Sequence, residues 1–438
     1  MKSVLIIAYY FPPSGGPGVQ RVLKLVKYLP RFGWRPVVLT VSNGDFPARD
    51  ESLLKEISAD VKVYRTTIIE PYGLYRKLTG KKKGAAVDVN VIPEKGATRP
   101  PTERISAWIR STLFIPDARI GWRLTAVKEG MRIIGEEKID MLYSSAPPHT
   151  CSVIARALKR KSRLPWVAGF RDPWTGFENT PHRWVLPRVI DENLERGVCV
   201  DADRIDVAWL GIQKTLQRAH PEIPSSKFEH LPNGFDSEDY PAVTATPHDA
   251  FVMTYTGSMY GTRNPRGLLT AVEELVRNGA IERNKFVLKF VGRFGAEVDA
   301  MIAASGIKDR VETISYLPHA ESISALVNAD ALLLIVDEIA GSSEVVPGKV
   351  YEYLGAGKPI LAIADPHGAI AELLNETGAG VTIAHGDIAA ISVEFLRLYQ
   401  QFFNSTIIQR ENVDGVKKYD RKETARRLAT IFDELTHS

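Results

Sequence analysis

The sequence predicts an α/β fold in two domains, each a parallel sheet covered by helices on both faces. Three observations predict it. The chain has 438 residues, enough for two separate cores, and its 44% apolar and 25% charged content is that of a globular protein. Its apolar runs are short and continuous, as in ALLLIV at Ala331–Val336, the pattern of strands buried on both faces. The order strand, glycine-rich loop, helix also occurs twice, at Val4–Leu29 and again at Phe251–Asn278. Two such openings in one chain mark two Rossmann-like domains.

In the first half, Val4–Tyr10 reads as a buried strand, followed by FPPSGGPGVQR. A helix then carries Val19, Val22, Leu23, Val26 and Leu29 at helical spacing, ends at Pro30 and Gly33, and yields to a strand at Val37–Val41. Gly15, Gly16 and Gly18 let the backbone approach a ligand, and the helix start favours an anion or a polar group; a plain tight turn is the alternative. Residues 70–105 break the rhythm and read as a surface insertion rich in Lys, Gly and Pro. Ile105, Trp108, Ile109 and Leu113 then share a helical face beside this basic segment. That combination suits an anionic membrane surface, or else a helix packed on its own domain.

Met141–Ser145 is the next strand and runs into SSAPPHT, which puts His149 at a strand's carboxyl end, where cleft residues sit. Trp166–Phe170 leads into Arg171-Asp172-Pro173-Trp174, where Asp172 is placed to bind an acceptor hydroxyl or to hold Arg171. Asp201-Ala-Asp203 matches a three-residue metal-binding pattern, but it stands where a strand begins and reads as a solvated turn; no metal site is expected. Arg204–Trp209 and Phe228–Asp236 complete a first domain of residues 1–240, and residues 241–249 read as a linker.

The second domain, residues 250–405, opens with the strand Phe251–Thr256 and the helix Leu268–Asn278. Between them, Arg263 and Arg266 offer the planar paired donors that neutralise a diphosphate. Strands follow at Phe286–Val291 and at Val311–Leu317. The central stretch is GSSEVVPGKVYEYLGAGKPILA, residues 341–362. It places Glu344 in a loop and, after Pro347-Gly348, starts a helix with Lys349 and Glu352 that stops at Gly355-Ala-Gly357 before the strand Ile360–Ile363. A helix start at the carboxyl ends of parallel strands presents free N–H groups to an anion. Ionised carboxylates beside it accept from the hydroxyls of a sugar. Phosphate donors flanked by hydroxyl acceptors describe a nucleotide-sugar site; two solvated surface glutamates are the plainer alternative. A helix near Ala369–Leu374 and a short strand at Gly380–Ala384 follow, and residues 390–403 and 416–434 are helical by pattern.

Glu344-x7-Glu352 followed by Leu354-Gly355-Ala356-Gly357-Lys358-Pro359 resembles the signature of the retaining nucleotide-sugar glycosyltransferases of family four, the group 1 enzymes with the GT-B fold. The resemblance implies two Rossmann-like domains facing across a cleft, with the segment 406–438 returning to the first domain through a last helix at Arg421–Leu435. It gives Glu344 the sugar hydroxyls, Glu352 the ribose, and Gly348 and Lys349 the pyrophosphate. Gly15, Gly16 and Gly18 then face donor phosphate and acceptor, His149 contacts the donor sugar, and the backbone after Leu317 meets the base. Family members usually carry an arginine where this chain has Ser258, so the choice between Arg263 and Arg266 stays open.

The implied activity moves a sugar from a UDP- or GDP-sugar to a saccharide or lipid-linked acceptor hydroxyl with retention, as in polysaccharide or lipopolysaccharide assembly. It needs no cofactor and no metal. A nucleotide-sugar 2-epimerase of the same architecture and a non-catalytic sugar-nucleotide binder are the alternatives. Two cysteines, Cys151 and Cys199, supply neither a disulfide framework nor a four-thiolate zinc site. A net charge of +4 does not argue for nucleic acid. Val4–Ala8 belongs to a strand with no cleavage-like segment, and no run approaches a membrane span, so a cytoplasmic enzyme is expected, peripheral on the inner face of the plasma membrane if the segment 70–115 binds lipid.

Overall fold

The computed structural model describes residues 1–46, 49–68, 112, 114–175, 183–241, 249–315, 317–339, 341–404 and 413–437. The insertion 70–105, the face residues Ile105, Trp108, Ile109 and Leu113, and most of the expected linker lie outside the described residues. The chain divides into two units, Met1–Asn233 with Thr424–Ser438, and Gly234–Glu423.

The first unit is a seven-stranded parallel sheet in the order β3-β2-β1-β4-β5-β6-β7. The strands are β1 (Lys2–Ala8), β2 (Trp34–Val41), β3 (Lys62–Thr66), β4 (Met141–Ala146), β5 (Trp166–Phe170), β6 (Arg204–Val207) and β7 (Phe228–His230). The helices are α1 (Pro17–Tyr28), α2 (Trp122–Glu136), α3 (Thr150–Ser162), α4 (Val185–Asp201) and α5 (Leu210–Ala219).

Strand side chains alternate between faces, so a strand buried on both sides feeds two cores. In β1, Leu5 and Ile7 pack with Trp122, Ala126, Ile154 and Leu158 of α2 and α3. Val4, Ile6 and Ala8 pack on the other face with Val19, Val22 and Val26 of α1. That second core is completed by Ala425, Leu428, Ile431 and Phe432 of the last helix, which therefore crosses back to the first unit. The Phe432 ring stands edge-on to Trp34 at 5.1 Å.

The second unit is a six-stranded parallel sheet in the order β10-β9-β8-β11-β12-β13. Its strands are β8 (Phe251–Thr256), β9 (Phe286–Val291), β10 (Val311–Ile314), β11 (Ala331–Ile335), β12 (Ile360–Ile363) and β13 (Gly380–Ile383). Its helices are α6 (Arg266–Arg277), α7 (Ala296–Ala304), α8 (His319–Val327), α9 (Gly348–Ala356), α10 (Ala369–Thr377), α11 (Ile388–Phe403) and α12 (Val413–Lys417); the last helix is α13 (Arg421–His437). Leu333 and Ile335 join one core with Met253, Tyr255 and Phe395, while Leu332 and Leu334 join the other with Val350, Tyr353 and Leu354.

Four expectations need correction. The strand expected over Val311–Leu317 stops at Ile314, and the one expected over Arg204–Trp209 stops at Val207, where Trp209 begins α5 instead. Residues 416–434 are not one helix, because the chain breaks at Tyr419-Asp420. There Phe235 and Asp420 bridge in parallel, and a Cβ on Gly234 would lie 2.0 Å from the Tyr419 carbonyl oxygen. Asp201-Ala-Asp203 is not a solvated turn. Asp201 pairs with Arg156 at 2.6 Å and with Arg160 at 2.7 Å, and Asp203 pairs with Lys159 and accepts from the Trp166 N–H at 2.7 Å. Among the described residues no cluster of three metal-ligating side chains occurs.

Candidate functional site

In a parallel sheet, ligands bind at the carboxyl ends of the strands where the strand order reverses. The reversals fall between β1 and β4 in the first unit and between β8 and β11 in the second. Both strand–glycine loop–helix openings sit at these points.

In the second unit, the chain leaves β8 at Gly257, whose φ of 116° only glycine adopts freely. A Cβ there would lie 2.8 Å from Lys349 Nζ, so the glycine makes room for the lysine. Lys349, in the first turn of α9, donates to Tyr255 Oη at 2.6 Å and lies 4.2 Å from that ring's centre. Tyr255 Oη in turn donates to the Ser258 carbonyl at 2.8 Å. Burial pushes the Lys349 ammonium down to about 7, with repulsion from Arg263 adding to it. Arg263 pairs with Asp337, just beyond β11. Arg266 is exposed in the first turn of α6, so Arg263 is the arginine that the fold brings to Lys349. Pro347 precedes α9 with no side-chain cap, which leaves the helix's first N–H groups open to a ligand.

Glu344 is exposed on the short turn Ser342–Glu344, and Gly348 is exposed at the start of α9. Glu352 is partly covered, with 35% of its side chain exposed, and burial raises its carboxyl above the usual range. The His319 ring stands between Glu352 Oε1 at 4.0 Å and Asp239 Oδ2 at 3.5 Å. The glycines of the LGAGKP run have separate reasons. A Cβ on Gly355 would lie 2.3 Å from Tyr240, which donates to the Glu352 carbonyl at 2.8 Å, while Gly357 ends α9 with φ 77°. Leu317 is half-buried just ahead of Pro318, which begins α8.

In the first unit, Gly15 and Gly16 lead into α1, with φ 99° at Gly16 and no side-chain cap. Gly18 also meets a side chain from another loop. A Cβ on it would lie 2.0 Å from the Arg171 guanidinium, so Gly18 seats that group against the first turn of α1. Arg171 donates to the carbonyls of Ala146 and Pro147. Asp172 is exposed beside it. His149, immediately before α3, stacks on Trp174 at 4.6 Å and 15°. Burial and the nearby Arg171 hold its imidazole down to about 3, so it is neutral and serves as a hydrogen-bonding group. Its Nδ1 is buried without a partner, and the Pro173 carbonyl is its backbone hydrogen-bond partner.

Several groups that build these loops escape a sequence reading. The Trp174 indole donates to Asp191 at 2.8 Å, and Thr175 donates its N–H and hydroxyl to Glu195 at 2.9 and 2.6 Å. These buried carboxylates of α4 hold the loop that stacks on His149. Asp206 binds Arg21 at 2.8 Å and Tyr143 at 2.7 Å in the core, and Arg21 reaches the Leu231 carbonyl at 2.9 Å. A histidine directly after Pro318, at a helix start beyond a strand, was the available signal for His319.

Comparison with known proteins bears on the family and the fold. Residues 236–402 match the family model described as glycosyl transferases group 1. Over 145 residues, 32% of this chain and 34% of the relative, the sequence is 29% identical to a protein named probable glycosyltransferase WbjE from Pseudomonas aeruginosa; the match thus spans about a third of that relative's length. The Anabaena protein Alr3699/HepE, solved in complex with UDP and glucose, superposes with TM-score 0.59 at 14% identity over 98% of this chain and 99% of its own. The lipopolysaccharide outer core galactosyltransferase WaaB superposes with TM-score 0.56 at 14% identity over 99% of this chain and 100% of its own. At such identities the structures speak for the fold alone, two Rossmann-like domains of the GT-B type. The match to the group 1 glycosyltransferase model falls within the second unit, which holds the Lys349 cluster and both glutamates.

Proposed function

We propose that the protein transfers a glycosyl group from a nucleoside-diphosphate sugar to an acceptor hydroxyl, with retention at the anomeric carbon and no required metal. The observation that carries this reading is the cluster of Lys349, Arg263 and the open start of α9, flanked by Glu344 and Glu352, at the carboxyl edge of the second sheet. Lys349, Arg263 and the α9 N–H groups are aimed where charge builds on a departing diphosphate, and that is where fixed donors lower a barrier most. Glu352 is assigned the ribose hydroxyls and Glu344 those of the sugar. In the first unit, neutral His149 is assigned a hydrogen bond to the donor sugar, and Asp172 one to the acceptor. No carboxylate pair is arranged for a double displacement among the described residues. The reading is therefore a front-face route in which the leaving phosphate oxygen takes the acceptor's proton.

A uridine or guanosine nucleotide is the donor. The acceptor is a saccharide or lipid-linked saccharide of bacterial cell-surface polysaccharide or glycolipid assembly. The family match and the UDP and glucose held by the Anabaena protein support the donor class, and the lipopolysaccharide enzyme among the similar structures supports the acceptor class. Among the described residues no helix is long and apolar enough to cross a membrane, which accords with peripheral attachment on the cytoplasmic face.

The test is release of nucleoside diphosphate from UDP- and GDP-sugars, with and without a bacterial membrane fraction, for wild type and Glu344→Ala. Release that needs both the membranes and Glu344 is the expected result. Formation of a 2-epimer from nucleotide sugar alone, or tight binding without release, would replace this reading.

A further inference from the structure

Asp337 is the acid of the Lys349 cluster, and two loops fix where it stands. It lies just beyond β11, between two residues held by their backbones. Val336 donates its N–H to the Ile363 carbonyl at 3.1 Å and accepts from the His385 imidazole at 2.7 Å. Glu338 donates its N–H to the Thr262 hydroxyl at 3.2 Å. His385 comes from the loop after β13 and Thr262 from the loop after β8, so both sides of Asp337 are anchored. Arg263 is anchored too. Its N–H donates to the Tyr260 carbonyl at 3.1 Å, and its guanidinium lies 5.8 Å from that ring's centre. The pair that results joins Arg263 Nη2 to Asp337 Oδ2, with 21% and 24% of the two side chains exposed. Arg263 Nε is buried without a hydrogen-bond partner. Asp337 therefore holds one corner of the guanidinium and leaves other donors unused.

We propose that Asp337 is a positioning and specificity-determining residue: it holds Arg263 for the diphosphate, and its own charge makes the site release the nucleoside diphosphate product more readily than the nucleotide sugar. The inference rests on the proposed role of Arg263 and Lys349 as diphosphate ligands. Charge carries it. Arg263 and Asp337 cancel, so the pair presents no net charge. Lys349 and Tyr255 stand beside them, with Glu352 one turn along α9. Lys349 is largely neutral at pH 8 and is charged by the proton it takes up with the ligand. A nucleotide sugar carries about two negative charges, and the free nucleoside diphosphate about three at pH 8, the additional one on its terminal phosphate. Less the proton at Lys349, about one net charge enters with the donor and about two with the product. A fixed carboxylate repels each in proportion, so Asp337 opposes the product about twice as strongly. Where product release limits the rate, that difference raises turnover.

The experiment is titration calorimetry of the full chain at pH 8 and low, fixed ionic strength with two ligand pairs, UDP with UDP-glucose and GDP with GDP-mannose. Wild type is compared with Asp337→Asn, which keeps an oxygen for Arg263 but loses the charge, and with Arg263→Met; melting is followed in parallel. A unit charge about 6 Å from the carboxylate is worth about threefold in affinity at a water-like dielectric. For the pair that wild type binds, Asp337→Asn should therefore tighten the nucleoside diphosphate about tenfold and the nucleotide sugar about threefold. Should Asp337→Asn melt well below wild type, Asp337→Ser removes the same charge. The ratio of the two affinities, which a general loosening leaves alone, should still shift about threefold toward the diphosphate. An unchanged ratio, or weaker binding of the diphosphate by Asp337→Asn, overturns the inference and spares the diphosphate assignment as long as Arg263→Met weakens binding. Binding of neither pair by wild type, or equal binding by Arg263→Met, overturns the assignment and the inference with it.

Discussion

Lys349 offers a prediction that can be worked through from its surroundings. Burial and Arg263 push its ammonium down to about 7 in the free protein. At pH 8 about nine tenths of the side chain is then neutral, and a neutral amine contributes no charge to a diphosphate. One negative phosphate charge about 4 Å away, at an effective dielectric of about 20, favours the ammonium by about 4 kcal/mol, or about 3 pKa units. Binding therefore draws a proton onto Lys349. At pH 8, where UDP has already lost its last phosphate proton, uptake should be about 0.9 proton per UDP bound, and the dissociation constant should rise about sevenfold per unit between about pH 7 and 9. Titration calorimetry in two buffers of different ionisation heat measures the uptake directly. Lys349→Met should abolish it and flatten the pH dependence. Wild-type uptake below about 0.3 at pH 8, or an affinity constant across that range, would refute the assignment of Lys349 to the diphosphate.

Three further outcomes follow from the same structure. Asp206→Asn leaves the buried Arg21 guanidinium without its counter-charge and should cost about 3–5 kcal/mol in a urea titration; a cost under about 1 kcal/mol would contradict the buried pair. Phe432→Ala opens a cavity against Trp34 and Tyr143 and should cost about 3–5 kcal/mol, a loss absent if α13 did not pack in the first core. His149 titrates at about 3 in the fold, below its unfolded value of about 6.5. The unfolded chain thus binds more protons in that window, and stability falls as pH drops through it. His149→Gln should flatten that acid limb, as read by melting temperature from pH 7 to pH 4.

How much of this was legible in the sequence depended on where each residue's partner lay. The strands were legible because a strand buried on both faces is a short continuous apolar run, as at Ile360–Ile363. The positions of Lys349 and Glu352 were legible because the glycines and proline around them break the backbone locally. Helix α4 was not, since the carboxylates Asp191 and Glu195 are buried while Val185, Leu186, Val189 and Ile190 are exposed, which blurs the periodicity that marks a helix's buried side. Arg21 and Asp206 lie 185 positions apart, and nothing local announces their pairing. Neither Gly18 nor Gly355 betrays which distant side chain, Arg171 or Tyr240, occupies the space that a Cβ would fill. Arg263 could be chosen over Arg266 only once the loop placed it against Asp337 and Lys349.

The central claim is that the chain moves a sugar onto an acceptor. The most direct measurement is mass spectrometry of lipids and saccharides extracted after membranes are incubated with protein and each nucleotide sugar in turn. The account predicts one donor for which wild type adds a single sugar mass to an acceptor, with an equal amount of nucleoside diphosphate released, and for which Glu344→Ala adds none. Tight binding of a nucleotide sugar with no acceptor gaining mass from any donor, or conversion of the donor to its 2-epimer, would contradict it.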